Sequence, residues 1–337
     1  MRCLVTGGCG FVGSALVRRL LAEACEVVVV DDLSRGSPEN LGPGRHQVTV
    51  VAEEVASDLG QIVASCQPLA IFHLAALHFI PDCDADPARC LQVNVAGARA
   101  VLDAAAALPH GVCVVLASSA AVYAPADGPL REEDSLRPID VYGYSKLWAE
   151  ELAAGFSAGT GKAVGIARLF NVFGPGETNA HFIPSLICQL KAGATVRTGN
   201  LSSRRDYVFV DDAADALLRL ARHCDDGQSA TLNVGSGRAY AGHEVLAALA
   251  PATAPAPVLD PARVRPVDRP LLLADPARPA SCWAGRRGWR RPWASGSRCT
   301  WPRWSTSRRP SPSTTSSPTT ATPVTSCPQA GCSATTR

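Results

Sequence analysis

The fold is decided by the segment TGGCGFVG, residues 6–13. It follows a short apolar run at residues 2–6 and leads into an Ala/Leu-rich stretch, so it predicts a strand, a tight turn and a helix in succession. Gly7, Gly10 and Gly13 give the spacing GxxGxxG. Glycines at these positions permit the tight turn and let the backbone approach a pyrophosphate closely. The segment therefore predicts a dinucleotide-binding turn.

The residues that follow this turn point to the same kind of ligand. Phe11 and Val12 open the predicted helix, whose N-terminus favours bound negative charge. A second apolar strand, at residues 26–30, ends in Asp31 and Asp32. A carboxylate at that strand end can accept hydrogen bonds from the adenosine ribose hydroxyls and would repel a 2′-phosphate, so NAD is expected rather than NADP.

Strand and helix patterns alternate as far as about residue 250, which predicts an α/β fold with a parallel sheet covered on both faces. Runs such as VVVV and VCVVL lack polar alternation, as expected for strands buried on both sides. The patterns predict strands at 2–6, 26–30, 47–51, 69–73, 111–117 and 163–168, and helices near 11–23, 86–107, 141–157, 181–192 and 211–222.

A candidate catalytic pair lies in YGYSK, where Tyr142 and Lys146 are four residues apart at the start of a predicted helix and therefore share one helix face. A tyrosine has an ordinary pKa near 10, but a lysine ammonium and a nicotinamide cation would stabilise its phenolate. Such a tyrosine can remove a proton from a substrate hydroxyl. Ser118 and Ser119 follow the fifth predicted strand, at the sheet edge where ligands bind, so a hydroxyl there could relay the proton.

Composition argues against several other classes of protein. No run of 18 or more apolar residues occurs in the 337-residue chain, so no membrane span is predicted, and Met1 leads straight into a strand pattern rather than a signal peptide, so we expect a cytoplasmic protein. The net charge of +2 includes ten arginines from residue 276 onward; without them, 22 basic residues stand against 30 acidic ones, a net charge of −8. Nucleic acid is therefore not an expected partner. The 13 cysteines show no zinc-type pairing, so no metal site is predicted.

A series of motifs falls in the order and spacing of the extended short-chain dehydrogenases/reductases: TGGCGFVG, VDDLSRG, FHLAA, SSAAVY, YGYSK, RLFNVFGPG, RRDYVFVDD, NVGSG and RPVD. Over about residues 1–278 the chain resembles the NAD-dependent nucleotide-sugar epimerases and dehydratases of that family. The resemblance implies a Rossmann-type, doubly wound parallel sheet with a smaller C-terminal substrate-binding lobe. It places an NAD-binding domain with the catalytic residues at 1–170, and a lobe for the nucleotide sugar, interleaved with it, at 171–278.

The resemblance also implies roles for single residues. Glu54 and Val55 stand where an acid and an aliphatic residue usually flank the adenine, although the acid is more often Asp. Ser119 matches the catalytic Ser/Thr of the family, and it is also a substrate-binding position. Tyr142 and Lys146 match the catalytic pair, and both are also expected to contact the cofactor. The remaining cofactor-lining positions are Leu74, Ala75, Ala76 and Asn94, and the positions that grip the nucleotide diphosphate and its ribose are Asn171, Arg205, Arg265 and Asp268.

The segment Ser119-Ala120-Ala121 bears on the reaction. In this family, sugar 4,6-dehydratases usually carry Thr-Asp-Glu there and decarboxylases usually keep the Glu, whereas Ser-Ala-Ala is typical of 4-epimerases. We therefore expect epimerisation at C4 through a 4-keto sugar. A 4-ketosugar reductase, another dehydratase and a non-catalytic NAD-binding regulator remain alternatives. The family also implies a homodimer formed through helices 86–107 and 141–157.

Residues 279–337 differ in character from the rest of the chain and contain no Asp, Glu, Lys, Leu, Ile, Phe or Tyr. Suppose that Ser281 is encoded by an AGY codon and that the gene is read from the third base of the Pro279 codon. The bases that encode Cys282 and Trp283 then specify Leu-Leu-Gly, a motif that is usual at this place in the family. We therefore expect this tail to be encoded out of frame or to be disordered, because its composition offers little to bury.

Overall fold

A computed structural model describes residues 1–57, 59–177, 179–193, 195–224, 227–250, 256–264 and 268–275. Three of the predictions made above lie outside the described residues: the role of Arg265, the boundary at residue 278 and the nature of residues 279–337. In chain order the strands are β1 (Arg2–Thr6), β2 (Glu26–Val30), β3 (Val48–Val51), β4 (Ala70–His73), β5 (Cys113–Ser119), β6 (Val164–Leu169), β7 (Asn171–Phe173), β8 (Arg197–Thr198), β9 (Arg204–Phe209), β10 (Ala230–Val234), β11 (Ala239–Ala241), β12 (Val258–Leu259) and β13 (Leu271–Leu272).

The α-helices alternate with these strands over most of the chain. They are joined by 3₁₀ segments at Pro38–Gln47, Ala120–Val122 and Pro261–Arg263, and by a π-helical segment at Gln92–Ala96. In chain order the α-helices are α1 (Phe11–Ala22), α2 (Leu59–Cys66), α3 (Ile80–Ala85), α4 (Pro87–Leu91), α5 (Gly97–Ala106), α6 (Val141–Thr160), α7 (Phe182–Lys191), α8 (Val210–Cys224) and α9 (Gly242–Leu249).

A seven-stranded parallel sheet in the order β10-β6-β5-β4-β1-β2-β3 forms the centre of the described part of the chain. The order reverses at β1, because the chain moves outward first to β2 and β3 and then to β4, β5 and β6. This is the doubly wound arrangement, in which the crevice for a ligand opens where the strand order reverses. The predicted fold class is confirmed.

The strand register brings distant residues to one edge of this sheet. Thr6 at the end of β1 pairs with Val30 at the end of β2 and with His73 at the end of β4. The glycine turn, the segment that begins at Asp31 and the segment that begins at Leu74 therefore leave the sheet at the same level. They therefore border the crevice that is expected where the strand order reverses.

Two hydrophobic layers enclose the sheet, as its apolar strands require. One layer packs α1 and α8 against one face, through residues such as Leu16 and Leu217. The other packs α2, α5 and α6 against the opposite face, through residues such as Val63, Val101 and Ala149. Within the described residues, no helix has the length and apolar character needed to cross a membrane.

The smaller lobe is built from short strands and two helices. Strands β11, β9 and β13 form one sheet, to which β7 adds by pairing with β9, and β8 pairs with β12. Helices α7 and α9 belong to the same part of the chain. Strand β10, although late in sequence, lies in the large sheet, so the two parts interleave along the chain. The boundaries at residues 170 and 278 stay predictions.

The prediction of secondary structure was wrong in some details. The single helix expected at 86–107 is divided into α4, the π-helical segment and α5. The pattern also missed β10, because the short run Ala230–Val234 contains the polar residues Thr231 and Asn233 and lacks a continuous apolar stretch. The six predicted strands are present in the structure, with ends shifted by a few residues.

Candidate active site

The glycine turn is too tightly packed to hold side chains. Gly7 has a φ of +69°, which favours glycine, and a Cβ on it would lie 2.7 Å from the backbone nitrogen of Ala75. A Cβ on Gly13 would lie 2.0 Å from the carbonyl oxygen of Gly7. Gly10 caps α1 without any side-chain hydrogen bond, so the first amide groups of the helix, at Phe11 and Val12, face no capping side chain. This arrangement suits an anionic ligand at the start of α1.

Asp31 is buried directly beside this turn. Its two carboxylate oxygens accept hydrogen bonds from the backbone amides of Cys9 and Leu33, each at 2.9 Å. Burial raises the pKa of Asp31, while these two hydrogen bonds oppose that rise. Asp31 therefore also holds the glycine turn in place, which the sequence did not indicate. Asp32 is exposed, and its Oδ1 accepts hydrogen bonds from the amide and hydroxyl of Ser34.

Glu54 and Val55, which are expected near the adenine, contact other residues of the chain. Arg89 Nη1 lies 2.5 Å from Glu54 Oε1 in a partly exposed ion pair. Val55 is buried and packs in the core layer that contains α5. The Glu54 carboxylate would have to share its hydrogen bonds between Arg89 and a bound adenine.

The loop after β4 lies against the glycine turn and is tied to α6 by one asparagine. The Ala75 amide donates to Thr6 Oγ1 at 3.3 Å, and Leu74 and Ala76 flank it. Asn94 is buried in the π-helical segment, where its side chain bonds both the amide and the carbonyl of Leu77, at 2.7 and 2.9 Å. Its Nδ2 also donates to Ser145 Oγ at 2.9 Å. In this structure Asn94 therefore joins the loop to the helix that carries Tyr142 and Lys146.

The three candidate catalytic side chains meet at the crevice edge, since Ser119 ends β5 while Tyr142 and Lys146 lie in the first turns of α6. Ser119 lies close enough to Tyr142 to lower the pKa of the phenol. Lys146 Nζ donates to the carbonyl of Ala117 at 3.0 Å, which holds the lysine against β5. Asp140 begins the helix by accepting a hydrogen bond from the Gly143 amide at 2.7 Å, so the position of Tyr142 is fixed by a capped helix end.

Burial has the largest effect on the pKa values of Tyr142 and Lys146. Burial raises the pKa of Tyr142, and the neighbouring Ser119 opposes that rise. Burial lowers the pKa of Lys146 to about 8, with nearby groups such as Glu150 opposing the change. The sequence predicted that neighbouring positive charge would stabilise the Tyr142 phenolate. In the chain alone burial raises the pKa of Tyr142 above its ordinary value, so the phenol is protonated at neutral pH.

The comparisons with known proteins agree with this geometry. The sequence profile of the NAD dependent epimerase/dehydratase family matches residues 3–235. The chain belongs to this family. It is 34% identical, over 293 residues, to the UDP-glucose 4-epimerase of Mycolicibacterium smegmatis, an alignment that covers 84% of this chain and 93% of that protein. The predicted family membership is confirmed.

Solved structures of similar proteins extend the comparison to the fold. The UDP-glucose 4-epimerase of Thermus thermophilus, solved with NAD, superposes with a TM-score of 0.76 at 29% identity, covering 86% of this chain and 95% of that one. MoeE5, solved with UDP-glucuronic acid and NAD, gives a TM-score of 0.75 at 32% identity, with the same coverage of each chain.

Behind the catalytic group lies a buried polar network that the sequence did not predict. Arg168 on β6 bonds Glu150 on α6 through Nε and Nη2, at 3.0 and 2.7 Å, and both side chains are buried. Ser118, next to Ser119, donates its hydroxyl to the same carboxylate. Arg168 Nη1 also donates to Tyr123 Oη at 2.9 Å. A sequence signal was present, because an arginine inside an apolar strand requires a buried partner.

A second group that the sequence missed lies where the loop after β4 meets the loop before α7. Burial lowers the pKa of His78, and its Nε2 lies 3.1 Å from Asn179 Nδ2, as expected when a neutral imidazole accepts from an amide. Glu177 accepts hydrogen bonds from the backbone and side-chain nitrogens of Asn179 and lies 3.5 Å from His181 Nδ1. No local motif relates these residues.

The expected substrate residues are partly brought together in the lobe. Arg205 Nη2 and Asp268 Oδ1 form an ion pair at 2.5 Å. Ser203 donates to the other oxygen of Asp268 at 2.6 Å. Asn171 is the first residue of β7 and pairs with Tyr207 on β9, the strand that also contains Arg205. Within the described residues, no group of three or more His, Cys, Asp or Glu side chains could hold a metal ion.

Proposed function

We propose that the chain is an NAD-dependent nucleotide-sugar epimerase that acts at C4 of the sugar. One observation supports the proposal: Ser119, Tyr142 and Lys146 lie where β5 ends and α6 begins, while Ala120 and Ala121 follow Ser119 at the positions where the family resemblance implies acids in a dehydratase. The site thus has a base for one hydroxyl group but no acid/base pair for elimination of water.

The residues at the glycine turn fit NAD. Side chains are excluded from Gly7 and Gly13, so backbone amides line the start of α1, where a pyrophosphate would bind. In the proposed complex Asp31 accepts hydrogen bonds from a ribose, and Tyr142 and Lys146 contact the nicotinamide end of the cofactor. NAD, when bound, supplies a reversible oxidant for C4 of the sugar and a positive charge beside Tyr142.

In the proposed reaction the protein moves one proton in each direction. Tyr142, ionised with the help of Lys146 and that positive charge, removes the proton from the C4 hydroxyl as C4 is oxidised. Ser119, which lies near Tyr142, holds the reacting oxygen. After the 4-keto sugar has rotated in the pocket, C4 is reduced on its other face and Tyr142 returns the proton to the C4 oxygen. Arg205 and Asp268 hold the nucleotide during this rotation.

We also propose that the protein acts as a homodimer formed through α5, α6 and the π-helical segment. These elements border an apolar surface groove whose lining residues are Leu91, Gln92, Val95, Ala96, Arg99, Trp148 and Leu152. Trp148 is 46% exposed and Tyr144 is 41% exposed on the same helix. Large exposed aromatic side chains that border an apolar groove are typical of an interface between subunits.

The function can be tested with a panel of UDP- and dTDP-linked hexoses and hexuronates, incubated with the purified protein without added cofactor and followed by NMR. Conversion of one sugar into its 4-epimer, with NAD retained on the protein, is the expected result. A requirement for stoichiometric reduced cofactor would instead indicate a ketosugar reductase. Absence of any conversion would contradict an enzymatic role and favour an NAD-binding regulator. The Tyr142→Phe variant serves as the inactive control.

A further inference from the structure

Arg269 is a buried cation next to the proposed substrate residues. It is 7% exposed, and its Nη2 donates to the carbonyl oxygen of Ala121 at 3.0 Å. Its own backbone is held by the proposed nucleotide-binding pair, because its amide donates to Asp268 Oδ1 at 3.0 Å and its carbonyl accepts from Arg205 Nη1 at 2.8 Å. Arg269 is thus held by hydrogen bonds both at its guanidinium and at its backbone.

This guanidinium is incompletely bonded in the part of the chain that the structure describes. Its Nη1 is buried and has no hydrogen-bond partner there. Among the described residues, no carboxylate forms an ion pair with Arg269, and the acid that most affects it, Asp140, uses Oδ1 to cap α6. Arginine remains charged in proteins, so a buried arginine without an anion is costly and indicates a partner that is not part of these residues.

The location of Arg269 narrows the identity of that partner. A Cβ on Gly143 would lie 2.7 Å from the Ala121 carbonyl oxygen, so the oxygen that Arg269 contacts lies against the residue next to Tyr142. On its other side, the Arg269 backbone is bonded to Arg205. Arg269 therefore lies between the residues proposed to act on the sugar and those proposed to bind the nucleotide.

We propose that Arg269 binds an anionic group of the nucleotide sugar. This inference rests on the proposed function. Two groups of such a substrate share the required chemistry, namely the diphosphate and the C6 carboxylate of a hexuronate. The contact with Ala121, beside Tyr142, favours the carboxylate, so the substrate expected is a nucleotide hexuronate. Both groups can accept the paired donors of a guanidinium.

The test is a calorimetric comparison of UDP, UDP-glucose and UDP-glucuronate binding to the full-length protein and to Arg269→Gln. Loss of a hydrogen-bonded ion pair should weaken UDP-glucuronate binding about tenfold to a hundredfold while UDP and UDP-glucose bind as before. Arg269→Lys keeps the charge and should recover part of the loss. Arg222→Gln, which removes an exposed arginine on α8, is the matched control and should bind all three as wild type.

The outcomes separate the possible roles. An equal loss for all three ligands, partly recovered in Arg269→Lys, would support anion binding but assign it to the diphosphate. Equal losses in Arg269→Gln and Arg269→Lys, with a lowered melting temperature, would show that Arg269 only supports the Ala121 loop and would overturn the proposal. Unchanged binding in Arg269→Gln would also overturn it. A wild-type protein that binds none of the three would contradict both the proposal and the function on which it rests.

Discussion

Replacing Glu150 with leucine should destabilise the folded protein strongly, because it would strand the buried guanidinium of Arg168. Glu150 accepts hydrogen bonds from Arg168 Nε and Nη2 and from the Ser118 hydroxyl, and the two charged side chains are only 5% and 6% exposed. Removing one partner of a buried ion pair costs about 3–5 kcal/mol. In a domain of this size, that loss should lower the melting temperature by about 6–20 °C.

The double variant Glu150→Leu/Arg168→Met separates pairing from burial. It leaves neither Arg168 nor Glu150 as a lone buried charge, so its loss of stability should be smaller than that of either single variant, about 1–2 kcal/mol for the lost hydrogen bond to the carbonyl of Glu132 and the rearranged hydroxyls. Urea unfolding followed by circular dichroism measures all three. Glu23→Gln, which removes an exposed carboxylate from surface ion pairs, is the control and should leave the midpoint unchanged.

Two results would refute this reasoning. If Glu150→Leu unfolded at the wild-type urea midpoint, the network would not support the fold. If the losses of the two single variants simply added in the double variant, the residues would act independently, and the contact between them would carry no coupling energy.

The remaining predictions concern the site and the interface. Tyr142→Phe should lower turnover by about a hundredfold or more while nucleotide binding persists, whereas Tyr144→Phe, on the exposed side of the same helix, should turn over as wild type; similar rates in both would exclude Tyr142 as the base. Asp31→Ala should weaken NAD binding and relax discrimination against NADP, and tighter NADP binding by the wild type in calorimetry would contradict the role of Asp31. Because burial lowers the pKa of Lys146 to about 8, kcat/KM should fall as the pH rises through about 8 and Lys146 loses its proton; a flat profile up to about pH 10 would exclude a role for its charge. Trp148→Glu should convert a dimer into a monomer in analytical ultracentrifugation, and a monomeric wild type would contradict the interface.

Much of this architecture could be predicted from local patterns. The glycine turn, the acid at the end of β2 and the Tyr142–Lys146 spacing are short motifs, because each depends on geometry within one turn or one helix. Their convergence also followed from the sequence, since parallel strands place their carboxyl ends at one sheet edge. The prediction of a single helix over 86–107 failed because a π-helical segment has no distinct composition, and here it forms where Asn94 bonds the loop of Leu77.

The residues that support these motifs could not be predicted in the same way, because their partners are distant in sequence. Arg168 meets Glu150 only because β6 pairs with β5 and α6 packs across both, and Arg269 meets Ala121 from 148 residues away. A sequence does show where a buried charge will need a partner, although it does not show which residue the partner is. An arginine in an apolar strand, or beside one, must find such a partner or remain an unsatisfied buried charge. The structure supplies that partner for Arg168. Among the described residues, the Arg269 guanidinium has only a carbonyl as its partner, and this difference is the physical reason to look for the second partner in a ligand.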